Sequence, residues 1–282
     1  MGLGAIRATY DSVSDFIYNN RGEFRTQTTI PNVTEDTGTP DIDVWTVPDV
    51  SVPQSVLSGL VFPKSMDADI IEQINAALSA GKHIILIGPP GGGKTEIARR
   101  VSEHLTEEHP SVYSGYRTTT ATADWSTFET VGGYMPGEST TDELRFSPGQ
   151  VLRCFRDDER QRNDLLIIDE INRSDIDKSF GQLFTLLSGQ AVQLPFTVAG
   201  EEVEVVPAEQ VNGVDYDHQY LMPASWRIFA TMNSYDKTSL YEMSYAFMRR
   251  FAFVPCGVPD EATEVWESRW GRHAKRGTLE GD

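Results

Sequence analysis

The sequence predicts an α/β fold in which a parallel sheet lies between two layers of helices. Apolar segments of strand length alternate with segments of helical periodicity, residues 165–168 are wholly apolar, and a glycine-rich loop joins a strand to a helix. A wholly apolar strand is typical of a parallel sheet that is buried on both faces. The alternation of strands with helices is typical of three-layer architectures.

Before the glycine-rich loop, the chain predicts two helices separated by an extended segment. Residues 3–20 place apolar side chains at helical spacing, which is typical of an amphipathic surface helix. Residues 26–54 contain prolines at a density that excludes a helix and favours an extended linker or an edge strand. Residues 67–80 resume helical periodicity, and Gly81 is expected to end that helix.

After the loop, the same patterns predict the rest of the sheet and its connections. The remaining strands are expected at residues 111–122, 165–168, 226–232 and 251–254. Helices are expected at residues 150–156, 174–187 and 240–250. Residues 192–198 and 203–206 predict a β-hairpin insertion, whereas residues 124–137 and 156–164 are expected to form loops and connections.

The glycine-rich loop matches the pattern G-x-x-x-x-G-K-[ST], which is typical of a phosphate-binding P-loop. It consists of Gly88, Pro89, Pro90, Gly91, Gly92, Gly93, Lys94 and Thr95, between a predicted strand and a predicted helix. Glycine lets the backbone approach a phosphate chain closely, and the positive end of the helix dipole adds attraction. We therefore expect Lys94 to reach the β- and γ-phosphates and the Thr95 hydroxyl to ligate Mg²⁺. The alternative is a glycine-rich turn that only connects the two elements.

Two carboxylates, Asp169 and Glu170, follow the wholly apolar strand directly. Carboxyl ends of parallel strands form the edge at which open α/β sheets bind ligands. Asp169 is expected to hold Mg²⁺ through water, and Glu170 to orient and polarise the water that attacks the γ-phosphate. An apolar strand that ends in acids is a weak signal alone, but it is a strong one in a chain that also has a complete P-loop.

Three further polar residues extend the predicted site. Asn233 ends the strand predicted at residues 226–232, where its amide could contact the γ-phosphate or the attacking water, although an Asn there is also a common turn former. Arg249 and Arg250 stand at a helix–strand junction. Either could reach the phosphates of a neighbouring subunit as an arginine finger, or both could simply be solvated.

Taken together, these motifs resemble the AAA+ ATPases of the McrB/MoxR/dynein-related group, and within it the McrB branch. The resemblance covers roughly residues 60–260 and lies mainly in residues 168–174, 232–240 and 245–253. It implies a three-layer αβα P-loop NTPase core that assembles into a ring, often a hexamer, with ATP between subunits. Lys94 and Thr95 match Walker A, Asp169 and Glu170 match Walker B, and Asn233 matches sensor 1. Arg249 and Arg250 match the finger motif.

The resemblance also sets the predicted domain limits. Residues 1–60 are expected to form an N-terminal helix and extended linker, residues 61–258 the nucleotide-binding core, and residues 259–282 the start of a lid or a disordered tail. Members of the group continue into a helical lid with a sensor-2 arginine, and Arg269 or Arg272 would be its candidates here. Only residues 255–282 follow the last predicted strand, and they contain no clear match to sensor 2, so a reduced or missing lid is expected.

The function implied is a Mg²⁺-dependent nucleoside triphosphatase, with ATP favoured over GTP, that drives a partner protein. That partner would be a restriction-type nuclease subunit or, as for MoxR-like chaperones, a von Willebrand-type domain protein. Two alternatives from other classes are a nucleotide-binding, oligomerising scaffold with little turnover and a small-molecule kinase. The intact Glu170 argues against the scaffold, and the paired acids and paired arginines argue against the kinase.

Composition excludes several other classes of protein. The formal net charge of -18 repels phosphate, so direct DNA binding by this chain is not expected. Cys154 and Cys256 have no metal-binding or redox spacing and are expected to be buried thiols in a reducing compartment. No membrane span and no signal peptide are predicted, which suggests a soluble, cytoplasmic protein.

The acidity of the chain makes a prediction about salt. Only 6 of its 24 basic residues are Lys, and an acidic, Lys-poor surface is one way to stay soluble in a salty cytoplasm. The alternative is an ordinary acidic protein from a GC-rich genome. If the first interpretation holds, circular dichroism will show loss of the fold as KCl is diluted below the molar range. Full stability in dilute buffer would contradict it.

Overall fold

The computed structural model describes residues 42–62, 66–137, 144–157, 160–211, 218–233 and 243–257. These residues belong to the compact unit Pro40–Asp282. The helix predicted at residues 3–20, the first part of the predicted extended segment and the expected lid or tail at residues 259–282 lie outside the described residues.

The strands and helices follow the alternation that the sequence predicts. The strands are β1 (His83–Gly88), β2 (Gly115–Thr120), β3 (Gly132–Pro136), β4 (Leu144–Pro148), β5 (Arg156–Asp157), β6 (Arg160–Gln161), β7 (Asp164–Asp169), β8 (Val192–Val198), β9 (Glu201–Pro207), β10 (Gln219–Met222), β11 (Ile228–Asn233) and β12 (Phe251–Pro255). The helices are α1 (Met66–Ser79), α2 (Lys94–Glu108), α3 (Thr127–Thr130), α4 (Ile176–Phe180) and α5 (Tyr245–Met248). Short 3₁₀ turns lie at Gln54–Leu57, Leu152–Cys154, Ile171–Arg173, Gly181–Leu183, Leu186–Ser188 and Ala208–Gln210.

The central sheet has five parallel strands in the order β12-β1-β11-β7-β2. Its register pairs Gly88 at the end of β1 with Asn233 at the end of β11. On the other side, Asp169 at the end of β7 pairs with Thr120 at the end of β2. Because all five strands run the same way, the predicted phosphate loop and the predicted acids lie along one edge of the sheet.

Two buried clusters confirm the three-layer α/β architecture. Alternate residues of a strand point to opposite faces of a sheet. In β1, Ile84 and Leu86 join the cluster that includes α1 and α2, whereas Ile85 joins the cluster on the other face. That second cluster is built around large side chains such as Phe155 and Trp226, both fully buried.

The described part of the predicted extended segment packs against the first cluster. Val50, Val52 and Leu57 are buried with α1 and α2. The backbone of Val52 pairs with the side-chain amide of Asn75 on α1, at 2.8 Å and 2.9 Å. Residues 42–53 form no strand, so this segment holds its place through side-chain burial and hydrogen bonds to a helix.

Three predicted helices are shorter than expected. Residues 174–187 form only α4 and two 3₁₀ turns, and residues 150–156 contain only the turn Leu152–Cys154. Within 240–250, the described residues are helical only in α5. Gly181 interrupts the periodic segment, since glycine is a poor helix former, and Gly189, directly after the last 3₁₀ turn, has a φ of 77°.

Two of the predicted connections contain regular structure. Residues 124–137 include α3, whose start is capped by Ser126 and Glu129, followed by β3. Gly132 in β3 has a φ of 121°, and a Cβ there would lie 2.2 Å from the carbonyl oxygen of Ser147, so only glycine fits this pairing with β4. Within the predicted connection at 156–164, β5 and β6 form a short antiparallel pair.

The predicted hairpin is confirmed and extended. β8 and β9 pair antiparallel through a tight turn in which Ala199 and Gly200 have φ values of 52° and 88°. Two positive φ values in succession are typical of the two-residue turns that suit twisted hairpins. The sequence did not predict β10, which adds to β9 in the parallel direction and makes a three-stranded hairpin sheet.

The cysteines are buried free thiols, as the sequence predicts. Burial raises the pKa of the Cys256 thiol to about 12 and that of Cys154 above its usual range. Within the described part of the chain, no helix combines the length and apolarity needed to span a bilayer.

His83 is the buried titratable group at the start of β1. Its Nδ1 accepts a hydrogen bond of 3.0 Å from the backbone N–H of Ile228, and its ring packs against Trp226 and Phe251. Burial, followed by the nearby charge of Arg227, lowers the pKa of His83 to about 3. The imidazole is therefore neutral in the folded protein at neutral pH.

Because His83 is buried as the neutral imidazole, we expect the folded protein to lose stability as the pH is lowered. Between the unfolded pKa of about 6.5 and the folded pKa of about 3, only the unfolded chain binds the His83 proton, so the contribution is complete above pH 6.5 and decreases below it. His83→Asn keeps an acceptor for Ile228 but does not titrate. Urea unfolding at pH 7 and pH 4.5 should show wild type losing about 2 kcal/mol more than the variant. Parallel pH profiles for the two proteins would contradict this prediction.

Candidate active site

The phosphate loop has a backbone path that requires glycine. Gly91 and Gly93 adopt left-handed conformations, with φ values of 77° and 74°. A Cβ on Gly88 would lie 1.9 Å from the carbonyl oxygen of Cys256, which follows β12. The first residue of the loop therefore packs directly against the backbone that follows the edge strand β12. Helix α2 begins at Lys94, within the same loop motif.

Lys94 is a buried cation, with only 6% of its surface exposed. Its ammonium donates to the carbonyl oxygens of Gly88 at 3.0 Å and Pro89 at 2.7 Å. A third bond of 3.1 Å goes to Oδ1 of Asn233 on β11. Burial lowers the pKa of Lys94, so its charge depends on these neutral acceptors and on the nearby carboxylates of β7.

One carboxylate oxygen of Asp169, at the end of β7, links this strand to α2 and to β11. Its Oδ1 accepts hydrogen bonds of 2.6 Å from the hydroxyl of Thr95 on α2 and of 2.6 Å from the hydroxyl of Thr231 on β11. The Thr231 hydroxyl in turn accepts from the backbone N–H of Glu170 at 2.9 Å. Thr231 was not among the predicted site residues, although a Thr in an otherwise apolar strand, two residues before Asn233, was a signal for a role.

The oxygens of Thr95 and Asp169 fit a Mg²⁺ site. Mg²⁺ prefers oxygen ligands and is usually held by one or two protein oxygens together with phosphate oxygens and water. Here a hydroxyl and a carboxylate lie 2.6 Å apart, directly after the phosphate loop and at the end of β7. Both could therefore contact one ion shared with a bound nucleotide.

Glu170 lies at a strained position directly after β7. Its φ of 52° and ψ of 46° place a non-glycine residue in the left-handed region, which costs about 1 kcal/mol or more and is common at functional sites. Its carboxylate accepts a hydrogen bond of 3.0 Å from the amide of Asn233 and forms an ion pair with Arg173, whose Nε lies 2.7 Å from Oε2. One side of the carboxylate thus contacts Asn233 on β11, and the other contacts Arg173 in the turn that follows β7.

Asn233 connects the two halves of the predicted site. Its Oδ1 accepts from Lys94, and its Nδ2 donates to Glu170. The fold thus brings together five residues that were predicted separately from the sequence: Lys94, Thr95, Asp169, Glu170 and Asn233. Arg173 is an addition that the sequence did not indicate, since a single Arg beside acids is common on surfaces.

The two predicted finger arginines do not contact this cluster. They precede β12, and the carbonyl of Arg250 accepts from the N–H of His83, which places both at the edge opposite the phosphate loop. Arg250 turns inward, where its guanidinium donates to the carbonyl of Phe184 at 2.6 Å and also bonds Ala246 and Ser188. The side chain of Arg249 is exposed and makes no hydrogen bond or ion pair with a described residue.

Comparison with known proteins agrees with this geometry. Residues 83–251 match the family AAA_5, described as "AAA domain (dynein-related subfamily)". Over 208 residues the chain is 28% identical to the "Type IV methyl-directed restriction enzyme EcoKMcrB subunit" of Escherichia coli (strain K12), covering 71% of this chain and 40% of that protein. Over 206 residues it is 26% identical to the "Type II restriction enzyme BsuMI component YdiS" of Bacillus subtilis (strain 168), covering 62% of this chain and 57% of that protein.

A solved structure, NtrX from Brucella abortus in complex with ATP, shares 17% identity at a TM-score of 0.40 and covers 72% of this chain and 39% of that one. A TM-score this low adds nothing to the assignment. The chain spans 40% and 57% of the two sequence relatives above. The family match extends over more than half of the chain and contains Lys94, Thr95, Asp169, Glu170 and Asn233. The chain therefore belongs to the dynein-related subfamily of AAA domains, as an AAA+ ATPase-type, McrB-like protein.

Proposed function

We propose that this chain is the core of a Mg²⁺-dependent ATPase motor that hydrolyses ATP between the subunits of a ring. The observation that carries the proposal is the bridge made by Asn233, which bonds the phosphate-loop cation Lys94 and the carboxylate of Glu170 at once. A site that only binds nucleotide needs the first contact. A site that also hydrolyses needs a carboxylate placed beside the phosphates, where it can orient water.

The roles of the residues follow from their positions. The ammonium of Lys94 would exchange a loop carbonyl for the β- and γ-phosphate oxygens, which are stronger acceptors because they are charged. Thr95 and Asp169 would hold Mg²⁺, which neutralises charge on the phosphates when bound. Glu170 would accept a hydrogen bond from water and align its oxygen with the γ-phosphorus. Asn233, which bonds both groups, would fix the distance between that carboxylate and the Lys94 ammonium.

The choice of ATP over GTP is part of the proposal. The phosphate loop contacts phosphates and does not distinguish the bases. Both nucleotides therefore belong in every assay of this protein, and a higher rate with GTP would replace ATP as its substrate.

Arg249 is proposed as the residue that reaches the neighbouring subunit. Its exposure leaves the guanidinium free to move, whereas Arg250 is held by hydrogen bonds to Phe184, Ala246 and Ser188. Arg249 lies at the edge of the sheet opposite the phosphate loop, so it cannot reach the active site of its own chain. In a ring of head-to-tail contacts, such a residue would face the next subunit's phosphates.

A nuclease subunit is the proposed partner of the motor. Both relatives above are named as restriction-enzyme components, which favours a nuclease over a von Willebrand-type domain protein. The chain spans only part of each relative, so this partner is inferred from the shared core. A nuclease gene adjacent to this one would support the proposal, and a von Willebrand-type gene in its place would favour protein remodelling.

A nucleotide-binding scaffold with little turnover is the second candidate. The contacts of Glu170 favour it, because a carboxylate held by Asn233 and Arg173 is less free to bind water. The Arg173 side chain is 58% exposed, so this ion pair is a weak restraint. Measured turnover decides between the two candidates.

Glu170→Gln tests hydrolysis directly. We expect phosphate release to fall by about 100-fold or more, because an amide cannot accept the proton of the attacking water. Nucleotide binding, measured with a fluorescent ATP analogue, should be retained. Glu72→Gln, the same change on the exposed face of α1, serves as the control and should leave the rate unchanged. Equal background rates in wild type and Glu170→Gln would establish the scaffold instead.

Arg249→Ala and Arg250→Ala separate the two arginines. Arg249→Ala should abolish hydrolysis without changing the midpoint of thermal unfolding. Arg250→Ala should lower the free energy of unfolding by about 1–3 kcal/mol, because it leaves buried carbonyls without a donor.

Mixing equal amounts of Arg249→Ala and Glu170→Gln should restore about a quarter of the wild-type rate, since one site in four then has Glu170 on one subunit and Arg249 on the next. No recovery in assembled mixed rings would exclude action in trans.

A further inference from the structure

A cavity of about 410 Å³ lies at the edge of the central sheet opposite the phosphate loop. The last turn of α1, the start of β1 and the ends of β9 and β10 surround it, together with Trp226 and Arg227 just before β11. We call it the basal cavity. None of the five clustered active-site residues lines it, so the proposed hydrolysis does not account for it.

Arg227 is a buried cation in the wall of the basal cavity, with 7% of its surface exposed. Its Nη1 donates to the carbonyl oxygens of Ala224 at 3.0 Å and of Trp226 at 2.7 Å. Neither its Nε nor its Nη2 donates a hydrogen bond to a described residue. No carboxylate in the described ranges lies within ion-pair distance of the guanidinium. A buried charge of this kind is costly unless something pairs with it.

Gly81 and His83 lie beside Arg227 in the wall of the cavity. Gly81 ends α1 with a φ of 67°, and a Cβ there would lie 3.5 Å from Nη2. His83, which also lines the cavity, accepts at Nδ1 from Ile228 and so carries its proton on Nε2. That N–H makes no hydrogen bond with a described residue. The wall of the cavity therefore contains donors that have no acceptor in the described part of the chain.

The charges around the basal cavity limit what it can accept. The last carbonyls of α1, at Ser79 and Ala80, are the negative end of a helix dipole. Burial lowers the pKa of Arg227, and Tyr113 and then Glu209 on the rim act in the opposite direction. One positive charge facing these groups can compensate a single negative charge, and a dianion would be repelled.

The rest of the wall is apolar. Leu78, Pro207 and Trp226 are buried, and Met222 is partly buried, so they offer a surface for a hydrocarbon or aromatic body. The volume lies within the range of small-molecule sites, which combine an apolar lining with a few polar anchors. Guanidinium groups pair with carboxylates through parallel hydrogen bonds.

We propose that the basal cavity binds a small organic monocarboxylate, with its carboxylate on Arg227 and its apolar body against Leu78, Pro207 and Met222. The site is independent of the proposed hydrolysis, because its donors and its apolar wall lie at the other edge of the sheet.

The test uses the full chain and two probes, phenylacetate and hexanoate, at fixed ionic strength. Binding is measured by saturation-transfer NMR and by calorimetric titration, without nucleotide. The neutral analogues phenylacetamide and hexanamide should bind at least about tenfold more weakly, because they cannot neutralise Arg227. Lys94→Ala should bind both carboxylates as wild type does, which separates this site from the phosphate loop and from any failure of the proposed hydrolysis.

Three variants locate the site without removing Arg227. Ser79→Trp places a bulky ring on the exposed rim and should weaken binding by about tenfold or more. Gln73→Trp, the same addition on an exposed position of α1 that does not line the cavity, should have no effect. Glu209→Gln removes the competing carboxylate and should tighten binding about two- to fivefold.

Several results would overturn the proposal. No saturable binding of either carboxylate up to about 50 mM would exclude a site of useful affinity. Equal affinity for acid and amide would exclude pairing with Arg227, and unchanged binding by Ser79→Trp would place the probes elsewhere. Tighter binding of phenyl phosphate than of phenylacetate would show that the cavity prefers a dianion.

Discussion

The position of β11 between β1 and β7 is the constraint on which the site depends. The phosphate loop follows β1 and the two acids follow β7, so these strands are neighbours of β11 and not of each other. Two polar side chains of β11 fill the space between them. Thr231 bonds the Asp169 carboxylate, and Asn233 bonds both Lys94 and Glu170. The strand therefore sets the distance between the groups that bind phosphate and the group that would activate water.

Two buried cations, Lys94 and Arg227, lie at opposite edges of the same sheet and are compensated mainly by neutral oxygen acceptors. Lys94 is surrounded by carbonyl and amide oxygens, with the β7 carboxylates close by. Arg227 has two carbonyl oxygens on one nitrogen, and its other nitrogens have no acceptor among the residues that the structure describes. In both, partial compensation by neutral oxygens lets the residue remain buried while leaving donors that an anion can take.

Packing also distinguishes two arginines that look equivalent in the sequence. Arg250 follows α5 and donates a hydrogen bond to the carbonyl of Phe184. Its guanidinium also lies over the Phe184 ring, 5.7 Å from the ring centre. Arg249, one residue earlier, points to the surface because successive residues at a helix end face different directions. Neighbouring identical residues can thus divide into a structural role and a free one, and only the positions of Phe184 and Ser188 show which is which.

The sequence alone determined the elements whose signals are local. The loop around Gly91 and Gly93, the wholly apolar β7 and the periodic α1 follow from backbone freedom and side-chain spacing over a few residues. Even the start of α3 carried a capping signal, in Ser126 and Glu129, that could have been used. The family resemblance also rested on local motifs, in the phosphate loop and mainly in residues 168–174, 232–240 and 245–253.

The tertiary structure decided what depends on distant parts of the chain. The order of the strands and the addition of β10 come from pairing between segments far apart in sequence. The roles of Thr231 and Arg173, and the basal cavity around Arg227, likewise exist only once those segments meet. Burial and hydrogen-bond partners are properties of the assembled fold, because a residue's environment is supplied by neighbours that its own sequence segment does not contain.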